Sequence, residues 1–548
     1  MDTEDGAMNR HTPFSRRHFL TLAAGAASAS TLGGCSVAGS SPRSSVSSKP
    51  GPRLSPLLKP APAPADVMSF VSRPDLKPVA IAASGAEQFA GIAGVPRYVF
   101  LAPANLGASP VDLPGGAQPG PMIVDLRGDL VWFRPSPQHA IFNFTPQTYR
   151  GRPVVSWWSG TNLPTFGEGS YVVADSSYST VATVSGADGL QGDLHEFVIT
   201  PQDTALFTSY QQGSSGGVSL EDGIAFEVDI ASGDVVFAWR SLDPGHVAVS
   251  ETYLPPPKSG AWDYFHINSI SLWPGAERDL LISARNTCAV YRVARSTGAI
   301  VWRLGGKRSD FKMTDRTRFW WQHDARPLSD GSGVSLFDDA SLPPERSKGD
   351  PQSRGIVLEF GPRKGELRLA REYLHSDTKT AGNEAGFMGN VQLLANGSCF
   401  VGWGGQIPYF SGYGRPSAGA VHPPLLFDGR LPAKTFSYRA YTADWVGDPP
   451  LSELAVVVRP APAGSSDAWH AYASWNGSTE VESWKVSAGK SPHDLSSDHV
   501  AARRGFETAI PITVGGSSGS SPPFVHVQAL DHSGKVLGSS QVVQAQVP

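Results

Sequence analysis

Three histidines and one arginine stand where a polar ring or a cation is unusual. His195 in Asp193-Leu194-His195-Glu196-Phe197, His266 in Trp262-Asp263-Tyr264-Phe265-His266-Ile267-Asn268-Ser269 and His323 in Trp320-Trp321-Gln322-His323-Asp324-Ala325-Arg326 each place one imidazole inside an apolar or aromatic segment with polar neighbours. Arg285 ends the apolar run Leu281-Ile282-Ser283-Ala284, nineteen residues after His266. Imidazoles exchange protons near neutral pH, and a cation leaving an apolar strand either snorkels outward or binds an anion. Taken singly, each has an ordinary structural explanation. Together they are better explained by convergence on one site.

Residues so far apart in sequence need a fold that returns repeatedly to one axis. From about Tyr98 to Trp445 an alternating apolar strand, a short glycine-bearing turn and a second strand recur. Ile123–Leu126 leads through Gly128 to Leu130-Val131-Trp132, and Phe226–Asp229 through Gly233 to Val235–Trp239. Val290–Val293 turns at Gly298 into Ile300-Val301-Trp302, and Val357–Phe360 at Gly365 into Leu367-Arg368-Leu369. Alternation and turn chemistry make these hairpins. Gly233 to Gly298 is 65 residues and Gly298 to Gly365 is 67, room for one four-stranded blade with its loops. The expected fold is all-β: a six-bladed β-propeller over 98–450, whose channel gathers side chains from the inner strands.

Beyond it the composition shifts to Ser, Val, Ala and Pro with alternating strands, so 451–548 is expected to form a small C-terminal β-sandwich-like domain. Its His470, His493, His499, His526 and His532 read as surface or strand residues.

The chain has 548 residues, 59 Gly, 46 Pro, 17% charged residues and a net charge of −4. Nothing there offers the basic surface of a nucleic-acid binder, and 40% hydrophobic content suits a large folded body. Residues 1–35 read as an export leader: Ser15-Arg16-Arg17-His18-Phe19-Leu20 has twin-arginine form and Leu32-Gly33-Gly34-Cys35 that of a lipoprotein cleavage box. The expected location is extracytoplasmic, tied to the membrane by lipid on Cys35. A Ser/Pro-rich tether (36–65) and an N-terminal extension (66–97) would follow. Cys288 and Cys399 either pair or stay as buried thiols. Gly305-Gly306-Lys307 is followed by Arg308 and lacks a phosphate loop's spacing, and no metal-binding motif occurs, so neither metal nor cofactor is expected.

The same segments, with Val301–Lys307, Ser335–Asp338 and Gly389-Asn390-Val391-Gln392, resemble the bacterial arylsulfate sulfotransferases, in the branch found in actinobacteria and fungi. That resemblance implies a six-bladed propeller moving a sulfuryl group between phenols without a nucleotide donor. It also implies that His323 is transiently sulfated and that His195, His266, Asn268 and Arg285 surround the sulfuryl group. A neutral imidazole can displace a phenolate from sulfur and hold the group for a second phenol. Arg285 and Asn268 would steady the oxygens, and either His195 or His266 would move the proton. Trp262, Tyr264, Phe265, Trp320 and Trp321 are candidates to stack on a phenol ring, and Asp324 and Arg326 either orient His323 or pair with each other. Partners on this reading are an aryl sulfate donor and a phenolic acceptor. Two rivals remain: a quinoprotein-like oxidoreductase, whose strand-Gly-turn-Trp repeats Asp229–Trp239 is similar to, and a non-catalytic propeller binding at the cell surface.

Overall fold

A computed structural model describes residues 58–105, 112–341, 352–376, 385–462, 468–512 and 522–545. The leader, with Cys35, and the tether as far as residue 57 lie outside the described residues. Regular structure among the described residues is β apart from one short helix, Ala86–Ala90, and brief 3-10 turns.

Between Ala140 and Arg430 the strands fall into successive antiparallel sheets, each strand pairing with the next within its sheet. Ala140–Tyr149 opens one sheet, Phe197–Ile199 the next, then Ile267–Leu272, His323–Pro327 and Asn390–Leu393. All four hairpins expected from sequence are present, with registers such as Tyr291↔Arg303 and Val357↔Arg371. Gly233, Gly298 and Gly365 take φ of 80°, 72° and 79°, a left-handed conformation that favours glycine. Tyr441–Ala443, from the far end of this region, pairs with Tyr98–Leu101 and supplies the edge strand of the first sheet.

Burial explains why the sheets stack in a circuit. Each core cluster joins two successive sheets: Phe142 and Trp158 meet Phe207 and Phe226, Tyr210 and Trp239 meet Ile270 and Tyr291, and Val290 and Leu304 meet Leu336 and Leu358. Phe337 and Tyr373 then meet Val391 and Tyr413, Phe400 and Phe427 meet Val99 and Met122, and Phe100 and Trp132 meet Ile141 and Trp157. A sheet covered on both faces needs apolar residues on both, and Ile267–Leu272 is buried along nearly its whole length. Outer strands instead expose Val235, Val236 and Val301.

The tether is shorter than the sequence suggested. Ala61 is 1% exposed and its N–H reaches Asp428 Oδ2 at 3.1 Å, so the chain is pinned at this residue although its neighbours Pro60 and Pro62 are exposed. Ala82–Ser84 extends the last sheet beside Leu425–Arg430. At the other end Leu454–Pro460, Trp469–Trp475 and Glu507–Ile512 form one sheet, and Ser483–Gly489, Ser497–Ala502, Phe524–Leu530 and Val536–Ser539 another, over a shared core including Val486, Ile510 and Val525. The Asn476 side chain joins them to the first sheet by pairing with both N–H and C=O of Phe133, each at 3.0 Å. Cys288 and Cys399 are both buried and are not joined in a disulfide.

Candidate active site

Each of the three imidazoles sits where the first strand of its sheet begins: His195 just before Phe197–Ile199, His266 just before Ile267–Leu272, and His323 as the first residue of His323–Pro327. Local backbone irregularity aims them. His266, Trp321 and Asp324 have φ of 56°, 53° and 51°, and the register slips between Ile267 and Ser269 and between His323 and Arg326. Bulges of this kind redirect side chains at the ends of strands.

The three side chains are built alike. In each, Nδ1 meets a buried aspartate: His195 with Asp193 at 2.7 Å, His266 with Asp263 at 2.5 Å, His323 with Asp339 at 2.6 Å. His195 and His266 are 4.8 Å apart between ring centroids and nearly perpendicular, and Tyr438 lies 5.9 Å from His195 and 6.4 Å from His323. Arg285 belongs to the same cluster. Its backbone N–H bonds the carbonyl of His266 at 2.9 Å, and its guanidinium lies 3.6 Å over the Trp321 ring. It therefore points inward, and its charge is the largest one acting on His323.

The tautomer of His323 follows from its neighbours. Nδ1 faces the Trp321 carbonyl at 3.0 Å, which only accepts, while Nε2 receives the Met388 N–H at 3.2 Å. Nδ1 therefore carries the hydrogen and Nε2 the lone pair. Burial, then the Arg285 charge, holds the ring well below the usual imidazole range, so it is neutral. Burial pushes Asp339 well above the usual carboxylate range, with Arg285 opposing.

The other two pairs differ in their carboxyls. Burial raises Asp193, but His195, the Gly167 N–H and the Thr208 hydroxyl outweigh it and bring it below its ordinary value. At Asp263 burial wins instead: the charges of Arg285 and His195, the His266 N–H and the Asn286 amide oppose it, but Oδ1 is buried without a partner and the carboxyl is pushed up to about 7. Burial, followed by the charges of His195 and Arg285, pulls His266 well below 6.5. Near neutral pH the proton of this pair rides on Asp263, which donates to Nδ1 and leaves Nε2–H toward the cluster.

Several expected site residues have other work. Asn268 is 0% exposed and its amide donates to the Gln322 carbonyl at 2.7 Å, which anchors the residue before His323, while its Oδ1 is buried without a partner. Tyr264 and Phe265 are also fully buried, Phe265 between Trp239 and Tyr291 at 5.8 and 5.6 Å, because the chain needs apolar filling between two sheets there. Trp262, Trp320 and Trp321 stay half-buried, and Trp320 meets Tyr253 edge-on at 5.4 Å.

Asp324 and Arg326 do pair, at 2.7 Å, within a larger ionic knot. Glu196 binds Arg326 and Arg439, both at 2.7 Å, Asp324 lies 3.4 Å from Arg439, and Arg439 also reaches the Asn268 carbonyl at 3.2 Å. The knot ties together segments that open different sheets, which is how dispersed residues are held around one axis. Arg439→Ala leaves Glu196 and Asp324 short of a cation and should cost about 3–5 kcal/mol, read as a fall in the chemical-denaturation midpoint.

Sequence reasoning missed Asp339, Arg439 and Tyr438 altogether. It quoted Asp193, Asp263, Glu196 and Gln322 without assigning them a task. Asp193 and Asp263 were findable, since an acid two or three residues before a histidine can reach Nδ1; Asp339 and Arg439 come from other strands and leave no local signal.

Residues 145–415 match the family model described as Arylsulfotransferase (ASST), a stretch that includes the three histidines, their aspartates and Arg285. No curated protein matches the chain. Solved structures similar to it include the periplasmic gluconolactonase PpgL of Pseudomonas aeruginosa, at 12% identity over 82% of this chain and 96% of that one, with a TM-score of 0.33. Another is the β-propeller domain of Cps50 (Swd1) from Myceliophteria thermophila, at 11% identity over 72% and 97%, with a TM-score of 0.29. At such scores the fold rests on the sheets themselves.

Proposed function

We propose, from a stretch at 145–415 that is arylsulfotransferase-family sequence, and so from an enzyme family, that the protein moves a sulfuryl group from a phenolic sulfate ester to an acceptor phenol through a sulfated His323. The fold that serves it is read as a six-bladed propeller over 98–450 with a small β-sandwich at 451–548. The observation carrying the mechanism is the Nε2 lone pair of His323, held by the Trp321 carbonyl and Asp339 beside Arg285 and two more imidazoles.

In the first half-reaction Nε2 of His323 forms a bond to sulfur as the bond from sulfur to the aryl oxygen breaks. His266 gives its Nε2–H to the departing oxygen, while Nδ1 takes the proton from Asp263. The second half reverses this: the acceptor phenol returns a proton to His266 Nε2, its oxygen bonds to sulfur and the N–S bond breaks. His266 is preferred to His195 for this task because Asp263 holds a proton near pH 7 and Asp193 does not. Arg285 pairs with the sulfuryl oxygens, whose negative charge spreads in the transition state.

Incubation of the purified protein with 4-nitrophenyl sulfate tests the reading. One equivalent of 4-nitrophenol released in a burst, with a mass gain of one SO3 group lost on adding phenol, is the expected result; no release with any acceptor would end it. The twin-arginine and lipobox motifs support export and anchoring through Cys35. Cys35→Ala should then shift the protein from the membrane fraction to the soluble fraction of fractionated cells.

A further inference from the structure

One hydroxyl within the cluster has no task in this scheme. Tyr438 is 1% exposed, and its hydroxyl finds no hydrogen-bond partner among the described residues. The residue is fixed on several sides. The Gly389 N–H bonds the Tyr438 carbonyl at 3.0 Å, one residue after the Met388 N–H that meets His323 Nε2. Phe436–Ser437, just before it, pairs with Pro103–Ala104. Phe142 meets the Tyr438 ring edge-on at 6.0 Å, and the Arg439 guanidinium lies 5.3 Å from its centre. Held in this way, the ring stands nearly perpendicular to two imidazoles, at 76° to His195 and 79° to His323. Its hydroxyl also acts electrostatically on the Tyr210 phenol, whose ring lies 6.2 Å from His195.

Resting on the transfer reading above, we infer that Tyr438 is a further catalytic residue, its hydroxyl donating to a sulfuryl oxygen as the group passes between the aryl oxygen and His323 Nε2. A buried O–H left unpaired costs stability, and an acceptor that arrives with the ligand accounts for it. A sulfuryl group brings three oxygens that only accept. Arg285 approaches them from the Trp321 side, and Tyr438 adds a fixed donor from the His195 side. Burial, its largest influence, holds the phenol well above its ordinary range, so the oxygen keeps its hydrogen at working pH. The residue therefore donates a hydrogen bond and exchanges no proton, which leaves the proton transfers to His266.

Tyr438→Phe keeps the ring and removes only the oxygen, so stability and turnover should part company. The chemical-denaturation midpoint should hold or rise, because a buried unpaired hydroxyl is gone. Turnover from 4-nitrophenyl sulfate to phenol should fall by about 10- to 100-fold in kcat. Mass spectra taken through a single turnover should show gain and loss of the SO3 group both slowed, since the same sulfuryl oxygens are stabilised in each half-reaction. Phenyl sulfate should suffer the same factor as 4-nitrophenyl sulfate, because a bond to a sulfuryl oxygen is blind to the basicity of the leaving phenol. A kcat within about twofold of wild type overturns the inference. So does a midpoint that falls along with kcat, which would make the hydroxyl a support of the fold. A loss that grows with the less acidic phenol overturns it too, by assigning Tyr438 to proton transfer. Each of these leaves the transfer reading standing, whereas no phenol release from the wild type ends both.

Discussion

His323→Ala is expected to lower release of 4-nitrophenol from its sulfate by at least about 10³-fold, and to leave no SO3 on the protein. The residue is 1% exposed, so a cavity is a real concern. His323→Asn meets it: the asparagine amide can stand where Nδ1–H stands and donate to the Trp321 carbonyl and Asp339, yet it has no nucleophilic nitrogen. Retained thermal stability with lost transfer is the predicted pair of readings. Asp339→Asn probes the same atom from behind. Its amide would donate to Nδ1, move the ring hydrogen to Nε2 and so remove the lone pair, for a loss of about 10²–10⁴-fold. If His323→Ala still accumulated sulfated protein at the wild-type rate, the nucleophile would have to be sought elsewhere.

The legible part of this protein is the part set by near neighbours in the chain. Hairpins such as Val290–Val293 with Ile300–Trp302 were readable because alternation and one turn glycine decide them locally. His195, His266 and His323 were readable as a group because each interrupts an apolar segment at the same point of its sheet. What stayed hidden depends on closure of the ring. Arg439 is 171 residues from Asn268 and 243 from Glu196, and no spacing rule links them. Asp339 follows an aspartate, Asp338, that is occupied by Arg354, and only the register of the strands decides which of the two meets His323. Tyr264 and Phe265 misled for the opposite reason: an aromatic beside a histidine is as useful for filling the space between sheets as for meeting a substrate, and here the core took both.

Arg285→Ala should reduce kcat by about 10²–10³-fold with the fold intact, and should change KM much less. In the proposed transfer the ester already carries its sulfate charge when it binds, but more negative charge would reach the sulfuryl and aryl oxygens as sulfur passed to Nε2, so a fixed cation would help the transition state more than the ground state. Arg285 is fixed in this sense: the Trp321 face lies 3.6 Å beneath it, Asn286 Oδ1 takes one Nη1 hydrogen at 3.3 Å, and its Nε is buried without a partner. An unpartnered N–H on a held guanidinium is a donor kept for something that arrives. Arg285→Lys should recover only part of the loss, because an ammonium keeps the charge but cannot stack flat or present a planar fork. Trp321→Leu, which removes the shelf and leaves the charge, should fall between wild type and Arg285→Ala. Added salt should change these ratios little, since the cation is screened weakly where it is buried. Near-normal kcat in Arg285→Ala would take the arginine out of the reaction and leave its stack on Trp321 as packing alone.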